Sequence, residues 1–246
     1  MKPSRRPGST SATSTRARLW APGSLFAKLG AANSGDWLCY VDHRFVRELG
    51  RGTLPETAFR RYLGQDYLFL IHFARAWGLA AFKSASLAEL RHALGNLKAI
   101  LEVEIDLHVR LCARWGLTEA RLGKLPEAGA TLAYTRFVLE RGLAGDLLDL
   151  AVALAPCIVG YAAIAERLIK DPATRLAGNP YREWIETYAA NDYRAVARAA
   201  TGELDRMWRA RGSDGRFHDV ARCFGQATRL EADFWQMGLG GGSPVR

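Results

Sequence analysis

Three side chains with chemical potential sit where a helix should be apolar. Asp66 lies three or four residues from Tyr62, Leu63, Phe69 and Leu70, so in a helix it points into an aromatic and aliphatic face. Glu231 sits in the same way among Phe224, Ala227, Thr228, Phe234 and Trp235, while Arg229 and Asp233 fall on the opposite, solvent side. Cys157 follows Pro156 directly and shares a face with Tyr161, four residues on. A carboxylate buried among rings either raises its pKa or takes a partner. A thiol with two such carboxyls would supply a nucleophile with acid and base groups. Each residue also has a plainer reading. A buried Asp or Glu can be satisfied by a hydroxyl or an arginine for structure alone, and a lone buried cysteine serves as a small hydrophobe. Spacing alone does not bring the three together.

The elements that must position them read as helices almost throughout. Apolar residues recur at helical spacing from Leu25 to Leu49, and again after Thr53-Leu54-Pro55 to beyond Trp77. A third window opens at Ser86, where Ser86 and Glu89 form a capping box, and runs to Trp115. Further helices fit residues 129–142, 145–170, 180–189, 191–211 and 217–237. Polar or Gly/Pro-rich breaks fall at Arg51-Gly52, Leu122 to Pro126, Asp171 to Pro180 and Arg211 to Gly215. No window alternates as a strand does, and no repeat is visible. The expected architecture is all-α, a single domain spanning 19–238 and built as a bundle of long antiparallel helices, with sites forming between facing helices. Residues 1–18, rich in Ser, Thr, Pro and Arg, read as a disordered basic tail, and residues 239–246 as a flexible C-terminus.

Composition narrows the class. The chain has 246 residues, 49% hydrophobic, with seven tryptophans and ten phenylalanines, which is material for a full core. The net charge is +9, but residues 1–35 carry six of those charges and no acid. The remaining body is close to balanced, so no nucleic-acid surface is expected. No apolar run follows the basic N-terminus, and the uncharged stretch from Leu150 to Ala165 is short for a span and contains Pro156 and Gly160. It reads as a buried helix, with no membrane partner and a cytoplasmic location as the default. The four cysteines form no C-x-x-C pair, and His72, His92 and His108 lack ligand spacing, so no metal is expected. Glu102, Glu104 and Asp106 read as a solvated acidic face. Phosphate-binding glycine loops are absent.

Several blocks in order resemble the thiaminase II/TenA family. They are His43-Arg44-Phe45-Val46 with Gly52-Thr53-Leu54-Pro55, Phe59 to Tyr62, Gln65-Asp66-Tyr67 and His72-Phe73-Ala74; then Ala133-Tyr134-Thr135; then Pro156-Cys157 with Tyr161. Asn179-Pro180-Tyr181 with Trp184-Ile185 and Thr187-Tyr188 follows, and Glu231 with Phe234-Trp235 closes the series. The resemblance covers residues 25–237. It implies a haem-oxygenase-like all-α fold without haem and a homo-oligomer, tetramer or dimer. It also implies hydrolysis of thiamin or of 4-amino-5-aminomethyl-2-methylpyrimidine to the hydroxymethylpyrimidine, in thiamin salvage. By position it implies Cys157 as nucleophile, Asp66 on the ring nitrogen and amino group, and Glu231 as acid/base. Tyr134, Tyr161 and Tyr188 would line the pocket, and Phe69 would stack on the ring. A protonated or proton-sharing Asp66 would make the ring electrophilic, and Glu231 would serve the leaving amine and then water. No cofactor is needed.

The chain departs from the family pattern at Phe69, where tyrosine is common, and at Gln236, where an acid is common. Cys157 places it with the cysteine-bearing branch, since another branch lacks that residue. Two rival readings differ in kind. One is an oxidase related to pyrroloquinoline-quinone synthase, which would bring a histidine- and arginine-rich pocket. The other is a non-enzymatic regulatory protein whose basic tail touches nucleic acid.

Overall fold

The computed structural model describes residues 18–240. The expected tail, apart from Arg18, and residues 241–246 of the expected flexible end lie outside the described residues. The description is all-helical, and there is no strand among the described residues.

Two long helices carry the core. Helix α4 spans Glu56–Lys83 and α9 spans Leu147–Lys170. Helix α9 is apolar nearly all round, and it packs against α8 (Gly129–Ala144), α10 (Arg182–Ala189), α11 (Asn191–Arg211) and α12 (Asp214–Gly238). By length and composition α9 could cross a membrane, but 78% of its apolar window is buried inside the protein, which makes it a core helix. Its start is fixed by a capping box in which Asp146 accepts from the Leu148 and Asp149 amides and Asp149 returns a bond to Asp146 N. Arg216 at the start of α12 pairs with both carboxylates and holds the two helices in register.

Sequence windows and helices differ in three places. The window from Leu25 to Leu49 is not one helix but three: α1 (Leu25–Ala32), α2 (Ser34–Val41) and α3 (Arg44–Arg51). Asn33 breaks the first joint because its side-chain amide donates to Leu29 O and to Ala221 O on α12, at 2.9 and 3.0 Å. The apolar spacing persists across the breaks because all three segments wrap the same core. The window from Ser86 to Trp115 is continuous but changes pitch. It holds α5 (Leu87–Ala99), a π-helical turn (Ile100–Glu104) and α6 (Ile105–Arg114). A short helix α7 (Glu119–Leu122), unexpected from the sequence, precedes the break at Leu122 to Pro126.

Buried polar side chains tie the joints. Gln65 accepts from Ala128 N at 2.8 Å and from Thr131 Oγ1 at 2.6 Å, and donates to Pro126 O at 3.0 Å. It thereby fixes the entry to α8, the helix that carries Tyr134. Asn179 donates to Leu49 O and Gly50 O, both at 3.0 Å, and accepts from Tyr181 N at 2.8 Å, clamping α3 to the start of α10. A Cβ on Gly52 would stand 3.3 Å from Asn179 Cγ, and Gly52 closes α3 in the left-handed conformation at φ 72°.

Pro156 interrupts α9 one turn before Gly160. It has no amide proton, so the Val152 carbonyl loses its helical donor. The Tyr40 ring packs against this stretch, and its hydroxyl sits 3.4 Å from the Pro156 carbonyl. A Cβ on Gly160 would stand 2.3 Å from Tyr40 Cε1 and 2.5 Å from its hydroxyl. Gly160→Ala should therefore destabilise the protein by about 1–3 kcal/mol, although alanine is the better helix former by about 0.5–1 kcal/mol. Thermal melts measure this, and an unchanged Tm would mean that the Tyr40 ring moves aside freely.

Candidate active site

A cavity of about 280 Å³ lies between α4, α5, the π turn, α9, α10 and α11. Asp66, Phe69, Cys157, Tyr161 and Tyr188 all line it. Five of the seven residues expected from the sequence thus meet in one space. The other two, Glu231 and Tyr134, do not reach that surface. They are 2% and 1% exposed and sit behind it, where the Tyr134 hydroxyl donates to Glu231 Oε1 at 3.0 Å. Tyr40 also hydrogen-bonds the Glu231 carboxyl. With no cation beside it, the burial of Glu231 dominates and carries its pKa from an ordinary 4.5 to about 8; the Asp66 charge adds to the rise and the hydroxyls oppose it.

Asp66 has a different environment. Its Oδ2 accepts from the Tyr62 hydroxyl at 3.2 Å and lies 3.4 Å from His108 Nδ1. His108 Nε2 is 2.8 Å from the Leu63 carbonyl, which can only accept, so Nε2 carries a proton. In neutral His108 the lone pair is then on Nδ1, facing the carboxyl. Burial pushes the Asp66 pKa up, while His108 and Tyr62 pull it down. Tyr62 is itself oriented by Trp184, whose Nε1 donates to its hydroxyl at 3.1 Å. The sequence marked His108 only as a histidine without ligand spacing, not as a partner of Asp66. Its position is readable only once α6 is seen to return beside α4.

Cys157 is partly exposed, to the cavity that it lines. Burial pushes its thiol pKa well up, and Glu231, Asp66 and Glu104, all acidic, push it further. At rest the sulfur is a thiol and not a thiolate. Among these charges Glu231 acts on it most strongly. Tyr188 closes the wall, edge-on to Tyr161 at 4.9 Å and to Tyr193 at 4.8 Å. The Phe69 ring packs on Tyr134 at 5.0 Å and offers the cavity a face without a hydroxyl.

One expectation is corrected. Glu104 does not belong to a solvated acidic face: it lines the cavity, and burial and the Asp66 charge raise its pKa. The π turn is the reason. Leu101, Glu102 and Val103 point outward, and the wider turn brings Glu104 onto the same side as His108, four residues on. Hydrophobic spacing carries no mark of such an insertion. Among the described residues no group of three or more His, Cys, Asp or Glu side chains is arranged to hold a metal ion.

Residues 34–241 match the model of the TENA/THI-4/PQQC family. The chain belongs to this family. It is 38% identical over 203 residues to an uncharacterized protein of Haemophilus influenzae, covering 82% of this chain and 93% of that one. It is 33% identical over 202 residues to the aminopyrimidine aminohydrolase of Halalkalibacterium halodurans, covering 82% and 89%. Among solved structures, a TenA family transcription regulator from Silicibacter sp. TM1040 superposes with a TM-score of 0.81 at 43% identity, covering 88% of this chain and 97% of that one. The TenA fold is therefore the fold of this chain.

The ionisation of Glu231 makes a measurable demand on stability. Its folded pKa of about 8 lies above the unfolded 4.5, so the folded state binds the proton more tightly. Stability is then full below about pH 4.5 and declines as pH rises towards 8. At about 1.4 kcal/mol per pKa unit, the loss is on the order of 5 kcal/mol. Glu231→Gln, which cannot ionise, should lose this decline, so its denaturation midpoint should gain on the wild type between pH 5 and pH 9. Parallel curves for the two proteins would mean that Glu231 ionises in the fold as it does in water.

Proposed function

We propose that this protein is an aminopyrimidine aminohydrolase that uses Cys157 as nucleophile on a 4-amino-2-methylpyrimidine with an aminomethyl or thiazolium substituent. The observation that carries this reading is the meeting of the Cys157 thiol with the Asp66 carboxyl, which has His108 Nδ1 at 3.4 Å, on one aromatic cavity. Support comes from the Halalkalibacterium halodurans relative named for this activity.

Asp66 hydrogen-bonds a ring nitrogen with its proton and draws electron density from the ring. Cys157 adds to the ring carbon next to the one that bears the methylene, and its proton passes to the Glu231 carboxylate. The bond from the methylene to the protonated amine breaks, and the amine leaves neutral. Water adds to the methylene carbon, and its proton passes to the released amine, or to solvent where the leaving group is the thiazole. The C–S bond then breaks and Glu231 returns the proton to the sulfur. One water is consumed, and the hydroxymethylpyrimidine and the amine are released. Phe69, Tyr161 and Tyr188 hold the ring, and Tyr134 orients Glu231.

Purified protein should release hydroxymethylpyrimidine from aminomethylpyrimidine or thiamin, and Cys157→Ala should lose at least ~10³-fold in kcat. A Cys157→Ala protein that keeps its rate would end the nucleophile assignment. Because Glu231 must be ionised to take the thiol proton, kcat/KM should rise with pH through about 8. Thiamin is the substrate for this measurement, since its thiazolium is a fixed cation. A profile already flat from pH 6 would remove Glu231 as the base. The relative described as a transcription regulator favours a second reading. Salt-sensitive DNA binding by a protein that turns over neither substrate would support it.

A further inference from the structure

The cavity is far longer than one pyrimidine ring. Its lining runs from Asp66 to Ala80 on α4, from Tyr161 back to Leu147 on α9 and from Tyr193 to Met207 on α11. At a rise of ~1.5 Å per residue each stretch spans about 21 Å. The ends are in register. At the near end Asp66, Glu104, Cys157 and Tyr193 interact electrostatically. At the far end, Lys83 on α4 donates to Leu143 O and Gly145 O beside the start of α9. There too, Arg211 on α11 pairs with Glu89 at the start of α5. The ring chemistry occupies the near end only, and an arm continues past Ala151 and Ala200 to Trp77, Leu147, Leu204 and Met207.

The lining also has a sign. It contains Asp66, Glu104 and Glu203 and no Lys or Arg. Glu203 is paired with Arg206, and His92 and Asn96 bond each other at 3.2 Å. The arm therefore offers apolar surface and no free cation. Glu104, at the junction of arm and ring site, makes no hydrogen bond or ion pair among the described residues. A phosphate or carboxylate on the leaving group would meet only like charge, whereas an ammonium would find a partner in Glu104.

We propose that the substrates of this protein are aminomethylpyrimidines whose amine carries an apolar substituent, with Glu104 holding the protonated amine and the arm holding the substituent. The proposal rests on the hydrolysis reading above. A protonated amine leaves as the neutral amine and takes up the proton that the attacking water gives up, so the products are the alcohol and an ammonium. Glu231 then carries only the thiol proton to and from sulfur.

The test is calorimetric binding to the Cys157→Ala protein, which holds substrate without turnover. The ligands are aminomethylpyrimidine, its N-benzyl derivative and an N-succinyl derivative bearing a carboxylate. N-benzyl should bind at least ~10-fold more tightly than the parent, and N-succinyl at least ~10-fold more weakly. Ala151→Phe and Ala200→Phe, each added separately and each checked by thermal melt, should bring the ratio of N-benzyl to parent affinity to about one. Glu104→Gln should weaken both amines by roughly 10-fold. Equal affinity for N-benzyl and parent, or a benzyl preference that survives both fillings, overturns the proposal. Turnover by the wild type separates the two claims. Hydrolysis of the parent with a flat binding series sinks the arm alone. The expected binding series without hydrolysis sinks the reaction and leaves the ligand class standing.

Discussion

Glu231 is enclosed by aromatic rings, with two tyrosine hydroxyls for hydrogen bonds and no cation within reach. In so apolar a setting the charged form is costly, and the carboxyl keeps its proton to about pH 8. Much of the surrounding architecture follows from this one burial. Tyr134 must be delivered by α8, which explains why Gln65 spends its whole amide on the entry to that helix. Tyr40 must lie against α9, which requires the missing side chain at Gly160. Trp235 stacks on Phe45 at 5.0 Å and packs at a tilt against Tyr62 at 5.2 Å, and its buried indole N–H is left without a partner among the described residues.

The same shortage of cations sets the proton economy of the whole site. A cysteine activated by a neighbouring histidine would hold a stable ion pair, but here every charged neighbour acting on Cys157 is acidic. The thiol is kept neutral until a proton acceptor is ready. Asp66 differs from Glu231 because His108 gives it a basic partner whose other nitrogen is committed to the Leu63 carbonyl. Both carboxyls have raised pKa values, but in different settings: burial acts on Glu231 with only hydroxyls opposing it, and on Asp66 with a basic neighbour opposing it. Such a separation suits acid and base roles.

How much of this was legible in the sequence depended on whether the signal was periodic. Asp66, Cys157 and Glu231 stood out because each interrupts an apolar face at helical spacing, and the structure places all three in or directly behind one cavity. The helical class and the long elements α4, α9 and α11 were legible for the same reason. Periodicity failed where the chain changes direction without changing its apolar partner. Asn33 breaks a helix through a bond to Ala221, far along the chain, and nothing local announces it. Glu104 and His108 were hidden by the π turn, which shifts phase by one residue and leaves composition unaltered. That Glu231 sits behind the wall and not on it depends on ring packing, which spacing cannot resolve.

That turn also stores one residue of slack beside the chemistry inside. Leu101, Glu102 and Val103 face outward and do not line the cavity. A π turn takes up one residue more than an α turn while the helix on either side keeps its direction. Deleting one residue there would remove the bulge and leave His108 facing Asp66. Deleting one between Glu104 and His108, where the pitch is ordinary, would turn His108 away by about 100°. The helix can therefore give up a residue at the turn and nowhere between the turn and His108.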